Sequence, residues 1–188
     1  MAHYVFIKRI INELKRPHII KTMSENNPKI LAIDPGTREM GVAFLDGDKL
    51  IYHGVKVIPS EKSPTERLKE GKEIIRRLIN DFKPDILVVE KSFFANNKTA
   101  SLLHVFINEI RAIGNKKGLK VMSYATSTVR KSIAGNGRAS KKELSKVIVS
   151  RYPNLKVYMS QDRAWKELYH QNMFDAIALG LMALSALK

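Results

Sequence analysis

The sequence contains no cysteine. That excludes disulfides and thiolate metal sites, and it fits a reducing compartment. No uninterrupted apolar stretch reaches membrane-spanning length, so no membrane partner is expected. No long apolar segment with a small-residue cleavage site stands near the first residues, so no secretory signal is expected. Internal repeats and low-complexity tracts are also missing. At 188 residues and 44% hydrophobic composition, one compact domain with a real core is the default. Acids are scarce: 18 Asp and Glu stand against 33 Lys and Arg, a formal charge of +15. A chain this basic is expected to meet a polyanion, of which nucleic acid is the commonest. Charge alone does not separate DNA from RNA, or binding from catalysis.

What is present is organised around ILAIDPGTREMGVAFLDGDKLIYHGVKVI, from Ile30 to Ile58. A short apolar run ends on Asp34 and turns through Pro35 and Gly36. The chain returns as Met40 to Leu45, and Asp46-Gly47 signals a tight hairpin into a third strand. Next, SPTERLKEGKEIIRRLINDF predicts a helix. Ser63 caps it, Pro64 suits its first turn, and Glu66 sits at the capping-box position. Pro84 breaks that helix, and ILVVE forms a buried strand that again ends on a carboxylate, Glu90. A second helix is expected from about Lys98 to Lys116, then a strand over Leu119–Ala125. A basic, glycine-interrupted segment follows, with a helix that Ser140 caps. The tail from about Gln171 reads as a helix apolar almost all round, hence buried.

Residues 1–28 form a separate element in this reading, a basic helical extension preceding a domain over 29–188. Phe6, Ile10, Ile11 and Leu14 recur at helical spacing among lysines and arginines, Pro17 ends the pattern, and SENNP reads as a linker.

The predicted fold is α/β. It has a mixed five-stranded sheet, three antiparallel strands followed by two parallel ones, with flanking helices. A helical crossover sets the strand ending at Glu90 parallel to the one ending at Asp34, so both carboxylates emerge at one sheet edge. Neighbouring strands lie about 4.8 Å apart, and paired metal ions in nucleases roughly 3.5–4 Å apart, so such carboxylates can bracket an ion pair. Asp175 is the third acid, set in an otherwise apolar helix where a lone charge is expensive unless it is paired or ligates a metal. Each acid has a plainer reading alone: an Asx turn at Asp34, a strand-end surface charge at Glu90, a helix-start charge at Asp175. Three at one edge of a basic chain favour a metal site.

With these residues assembled, the chain resembles the RuvC family of Holliday-junction resolvases, within the RNase H-like superfamily. The matching pieces are IDPGTREMGVAF, ILVVEKSFFANNKTA, YATSTVRKSIAGNGRASKKEL and FDAIALGLM, spanning Ile30 to the C-terminus. The resemblance implies an RNase H-like fold and a crossover junction endodeoxyribonuclease. Such an enzyme would grip four-way junction DNA as a homodimer and nick two opposed strands symmetrically, using Mg²⁺ with Mn²⁺ able to substitute. Asp34, Glu90 and Asp175 would be catalytic metal ligands. Phe93, with Phe94 as the alternative, would stack on bases at the crossover. Arg130 and Lys141 would contact the DNA backbone, and Lys131, Arg138, Lys142 and Lys146 would widen that patch. The helix carrying Leu102, Leu103, Phe106 and Ile110 would make the dimer contact, its plainer reading being burial on the sheet. A cytoplasmic location in a bacterium, or a phage origin, is implied, with an organelle left open; a helicase partner is not specified.

One departure matters. The family usually carries an acid or histidine three residues before its last aspartate, and here that position is Asn172. His170 or Asp162 are alternative ligands, His170 more simply being a surface or capping residue. Two further readings stand beside the resolvase, the first of them motivated by Asn172. One is a branched-DNA-binding protein with weakened catalysis; the other is an RNase H-like nuclease acting on forks, flaps or RNA–DNA hybrids. An actin-like ATPase is disfavoured, since the chain is short for two lobes and shows no second phosphate loop.

Overall fold

The computed structural model describes residues 27–59, 61–91, 98–159 and 164–188, with the side chains of 98–101 and 164–168 left undescribed. The N-terminal extension up to residue 26, the aromatic pair Phe93 and Phe94, and Asp162 lie outside the described residues.

Three antiparallel strands open the domain: β1 (Lys29–Asp34), β2 (Glu39–Asp46) and β3 (Lys49–Val57). Gly47 turns the β2–β3 hairpin at φ 54°, a backbone region that glycine enters without a Cβ penalty. Helix α1 (Pro64–Phe82) crosses to β4 (Ile86–Lys91), and α2 (Lys98–Lys116) crosses to β5 (Lys120–Ala125). Three helices follow: α3 (Thr126–Ala134), α4 (Lys141–Arg151) and, after a short 3-10 segment, α5 (Ala164–Ser185). The sheet order is β3-β2-β1-β4-β5. β1 pairs antiparallel with β2 and parallel with β4, and β5 is parallel to β4. This is the sheet predicted from the sequence.

Alternation along the strands divides the core into two layers. Ile30, Ala32, Ala43, Leu45, Ile86 and Val88 face α3, α4 and α5. Leu31, Ile33, Met40, Val42, Leu87 and Val89 face α1 and α2. Both predicted N-caps form as full capping boxes, Ser63 with Glu66 on α1 and Ser140 with Glu143 on α4. Helix α5 is buried through Met173, Phe174, Ile177, Ala178 and Leu181, as its apolar composition requires. It lies directly on β2: a Cβ built on Gly41 would sit 1.8 Å from the backbone oxygen of Asn172. Only glycine allows that approach.

Two expectations are corrected. The last helix starts at Ala164 rather than near Gln171, because its polar opening turns hide the apolar period. Asp175 therefore lies in the helix interior, and a favourable charge at a helix start no longer explains it. On α2, Phe106 and Ile110 are 2% and 0% exposed. The Phe106 ring packs where a Cβ on Gly71 of α1 would be 2.5 Å away. These two side chains belong to the domain's own core and are closed to a dimer partner, while Leu103 packs partly against that same core.

Candidate active site

The strand parity that builds the core also places the acids. Asp34 follows Ile30 and Ala32 by twos on β1, and Glu90 follows Ile86 and Val88 on β4. Both therefore point to the face covered by α5, at the edge where β1 and β4 end, and α5 brings Asp175 to the same place. The three carboxylates line one cleft of about 830 Å³, together with Thr37, Arg38, Glu39, Arg67, Thr126, Arg130, Lys141 and Asn172.

Their mutual electrostatics are those of crowded acids. Burial holds the Asp34 carboxyl well above its ordinary range, and a hydrogen bond with Glu90 and the charges of Glu90 and Asp175 add to the shift. Asp175 is raised as well, mainly by burial, with Lys141 and Arg130 opposing. Lys141 Nζ stands 3.7 Å from Asp175 Oδ2. Two of the three acids are also held by a neighbour. The Thr126 hydroxyl, at the start of α3, donates to Glu90 Oε1. Gln171 Nε2 donates to Asp175 Oδ1 at 3.3 Å; the Ser145 hydroxyl, which donates to the Lys141 backbone oxygen at 3.0 Å, lies 3.4 Å from Gln171 Oε1. Among the described residues no three His, Asp or Glu side chains are arranged so that they could hold a metal ion as they stand. The donor set is all oxygen, which suits hard divalent cations such as Mg²⁺ and Mn²⁺.

Asn172 lines the cleft and donates from Nδ2 to Glu39 Oε2 at 3.5 Å. His170 does not line it. Its ring packs against Tyr158, with centroids 4.8 Å apart, and against Tyr169 at 5.2 Å. The ligand role considered for His170 is therefore corrected: five residues before Asp175 on a continuous helix is about 140° around the axis. Among the expected DNA-contacting residues, Arg130 and Lys141 line the cleft, whereas Lys131, Arg138 and Lys142 are exposed outside its lining. Sequence reasoning missed Thr126, Gln171 and Arg67. The first two carried no signal beyond proximity to motif residues, and Arg67 was hidden in a helix read for its apolar face.

A mixed sheet in this order, with acids at the ends of its two central strands and on the last helix, defines an RNase H-like nuclease domain. The family described as "Crossover junction endodeoxyribonuclease RuvC" matches residues 30–179. The chain belongs to the RuvC family. It is 35% identical over 125 residues to the Prochlorococcus marinus RuvC, covering 64% of this chain and 80% of that relative. It is 31% identical over 135 residues to the Thermotoga petrophila RuvC, covering 68% and 79%. The fold matches that of Thermus thermophilus RuvC solved in complex with a Holliday junction substrate, with TM-score 0.67 and 19% identity over 85% of this chain and 95% of the other. Among the described residues no helix is long and apolar enough to cross a membrane.

Proposed function

We propose that this protein is a metal-dependent endonuclease that resolves four-way DNA junctions by paired, symmetric nicks. The observation that carries the reading is the convergence of Asp34, Glu90 and Asp175 in one basic-rimmed cleft, in a chain of the RuvC family. Asp34, Glu90 and Asp175 would hold Mg²⁺, or Mn²⁺ in its place, with the Asn172 carbonyl as a weaker neutral donor. Bound there, the metal supplies Lewis acidity for phosphodiester hydrolysis.

The chain's own groups do the rest. Thr126 fixes the Glu90 carboxylate, and Gln171 orients Asp175. Lys141 offsets the concentrated negative charge at the cleft floor, and its exposed ammonium is free to move to a phosphate when a cation takes over that task. Arg130 carries a buried Nε without a hydrogen-bond partner, as a side chain waiting for an anion would. A homodimer would present two such clefts to opposed strands; on α2 its contact would use exposed positions such as Val105 rather than Phe106. Residues 1–28 would add a DNA or dimer contact, and unchanged junction affinity and dimerisation after their deletion would contradict this.

The test is substrate choice. Equal concentrations of a four-way junction, a fork, a flap and an RNA–DNA hybrid are compared for cleavage in Mg²⁺. Preference for the junction is expected, and preference for any of the others would reassign the substrate. A second reading, a junction-binding protein with little catalysis, is favoured by one observation: the family's fourth ligand position is the neutral Asn172, engaged with Glu39. It requires tight, salt-sensitive binding without turnover in any divalent ion.

A further inference from the structure

Arg67 has no role assigned by the sequence, and its setting asks for one. It lies in the opening turns of α1, which packs on the sheet face opposite the one carrying the three acids. Even so, its side chain reaches the acid-floored cleft, as does Pro64 at the helix start. Among the described residues its side chain makes no hydrogen bond or ion pair, and its Nε is buried without a partner. The neighbouring acids are committed elsewhere: Glu66 to the Ser63 cap and Glu70 to Lys62. A cation near a helix N-terminus is placed against the helix dipole, so helix stability does not explain it. Nor is the side chain loose in solvent. It shares a small pocket with Thr37, Ile58, Leu68, Leu102 and Phe106, against which its stem can pack while the guanidinium is presented at the cleft.

A half-buried guanidinium, with a buried donor unpaired beside a positive helix end, is suited to an anion. Arg130, with the same unpaired Nε, lines the same cleft from α3 on the other face of the sheet. We propose that Arg67 binds a phosphate of the DNA backbone, so that the strand is gripped from both layers of the domain: Arg67 on one side, Arg130 and Lys141 on the other. This rests on the DNA reading above. It makes Arg67 a positioning residue, acting on where the strand lies rather than on the chemistry.

The experiment measures affinity for a four-way junction in EDTA, where nothing is cut, between 50 and 200 mM salt. The wild-type chain is compared with Arg67→Gln, Arg67→Lys and the control Arg76→Gln, which removes an exposed arginine ion-paired to Glu73 outside the cleft. A lost phosphate contact lowers the slope of log affinity against log salt by about 0.7–0.9. Arg67→Gln is expected to show that drop. Arg67→Lys is expected to keep the slope with reduced affinity, and Arg76→Gln is expected to behave as wild type. Thermal unfolding confirms that each variant is folded, and Arg67→Lys keeps the test alive if the glutamine variant is not. A wild-type slope in folded Arg67→Gln, or an equal drop in Arg76→Gln, overturns the proposal while leaving the nuclease reading intact. A linear duplex is measured alongside, and failure of the wild type to prefer the junction over it strikes the underlying reading instead.

Discussion

Replacing Asp34 by asparagine should make the metal-free protein more stable, although it removes a residue at the centre of the cleft. Asp34 is crowded by Glu90 and Asp175 and pushed well above its ordinary value of 3.8, first by burial and then by Glu90. Between that value and the raised one, the folded state holds a proton that the unfolded state has released. Stability therefore falls as pH rises through the window, and the full cost is present above it. Asparagine keeps the shape and cannot ionise. We expect Asp34→Asn to gain about 0.5–2 kcal/mol at neutral pH in EDTA, the ordinary size of a stabilising substitution. That corresponds to roughly 2–4 °C in Tm per kcal/mol for a chain of this size. Divalent cations should reverse the order. A cation held only by the native state adds about 2.7 kcal/mol at a hundredfold excess over its Kd, and the variant should forgo most of this. Scanning calorimetry in EDTA and in Mn²⁺, from pH 5 to 8, reads both effects. A variant less stable than wild type in EDTA, or a gap that divalent cations leave untouched, would refute the reasoning.

Other consequences follow from the same geometry. Thr126→Val removes the hydroxyl donor to Glu90, and Mn²⁺ affinity by titration calorimetry should fall about 10–100-fold with junction binding in EDTA unchanged. Gly41→Ala drives a Cβ to 1.8 Å from the Asn172 backbone, so denaturant unfolding should show a loss of about 1–3 kcal/mol or more as α5 is displaced. His53 is pushed below its ordinary 6.5 by burial, with His170 adding to it, so the unfolded state takes up its proton first as pH falls. Its contribution is present above 6.5 and lost as pH drops towards and through the lowered value; His53→Gln should flatten that slope in urea titrations between pH 7 and 5.

Elements written in local chemistry were legible in the sequence. Ser63, Pro64 and Glu66 announced the start of α1 because a capping box uses residues three apart, and both legs form, at 3.3 and 2.8 Å. The apolar runs ending at Asp34 and Glu90 fixed strand parity, and with it the common edge of the two acids. Tertiary placement was not legible. Phe106 satisfies the pattern of an interface helix and of a core helix equally well, and its burial against Gly71 decides for the core. The opening turns of α5 are polar, so periodicity began at Gln171 and the helix seemed shorter than it is. Thr126 and Gln171 reach the acids through contacts between elements, which no spacing in the chain encodes. Arg67 was masked by its helix, whose apolar stripe drew all the inference.

With a divalent cation, this cleft should cut four-way junctions. The most direct measurement incubates the wild-type chain with a synthetic mobile junction in Mg²⁺, in Mn²⁺ and in EDTA, and resolves the products on denaturing and native gels. Paired symmetric nicks with either ion and none in EDTA are the expected result, and they would show that Asn172 suffices where the family usually carries an acid or histidine. A junction that is bound but uncut in every condition would contradict the claim and leave a branched-DNA-binding protein in its place.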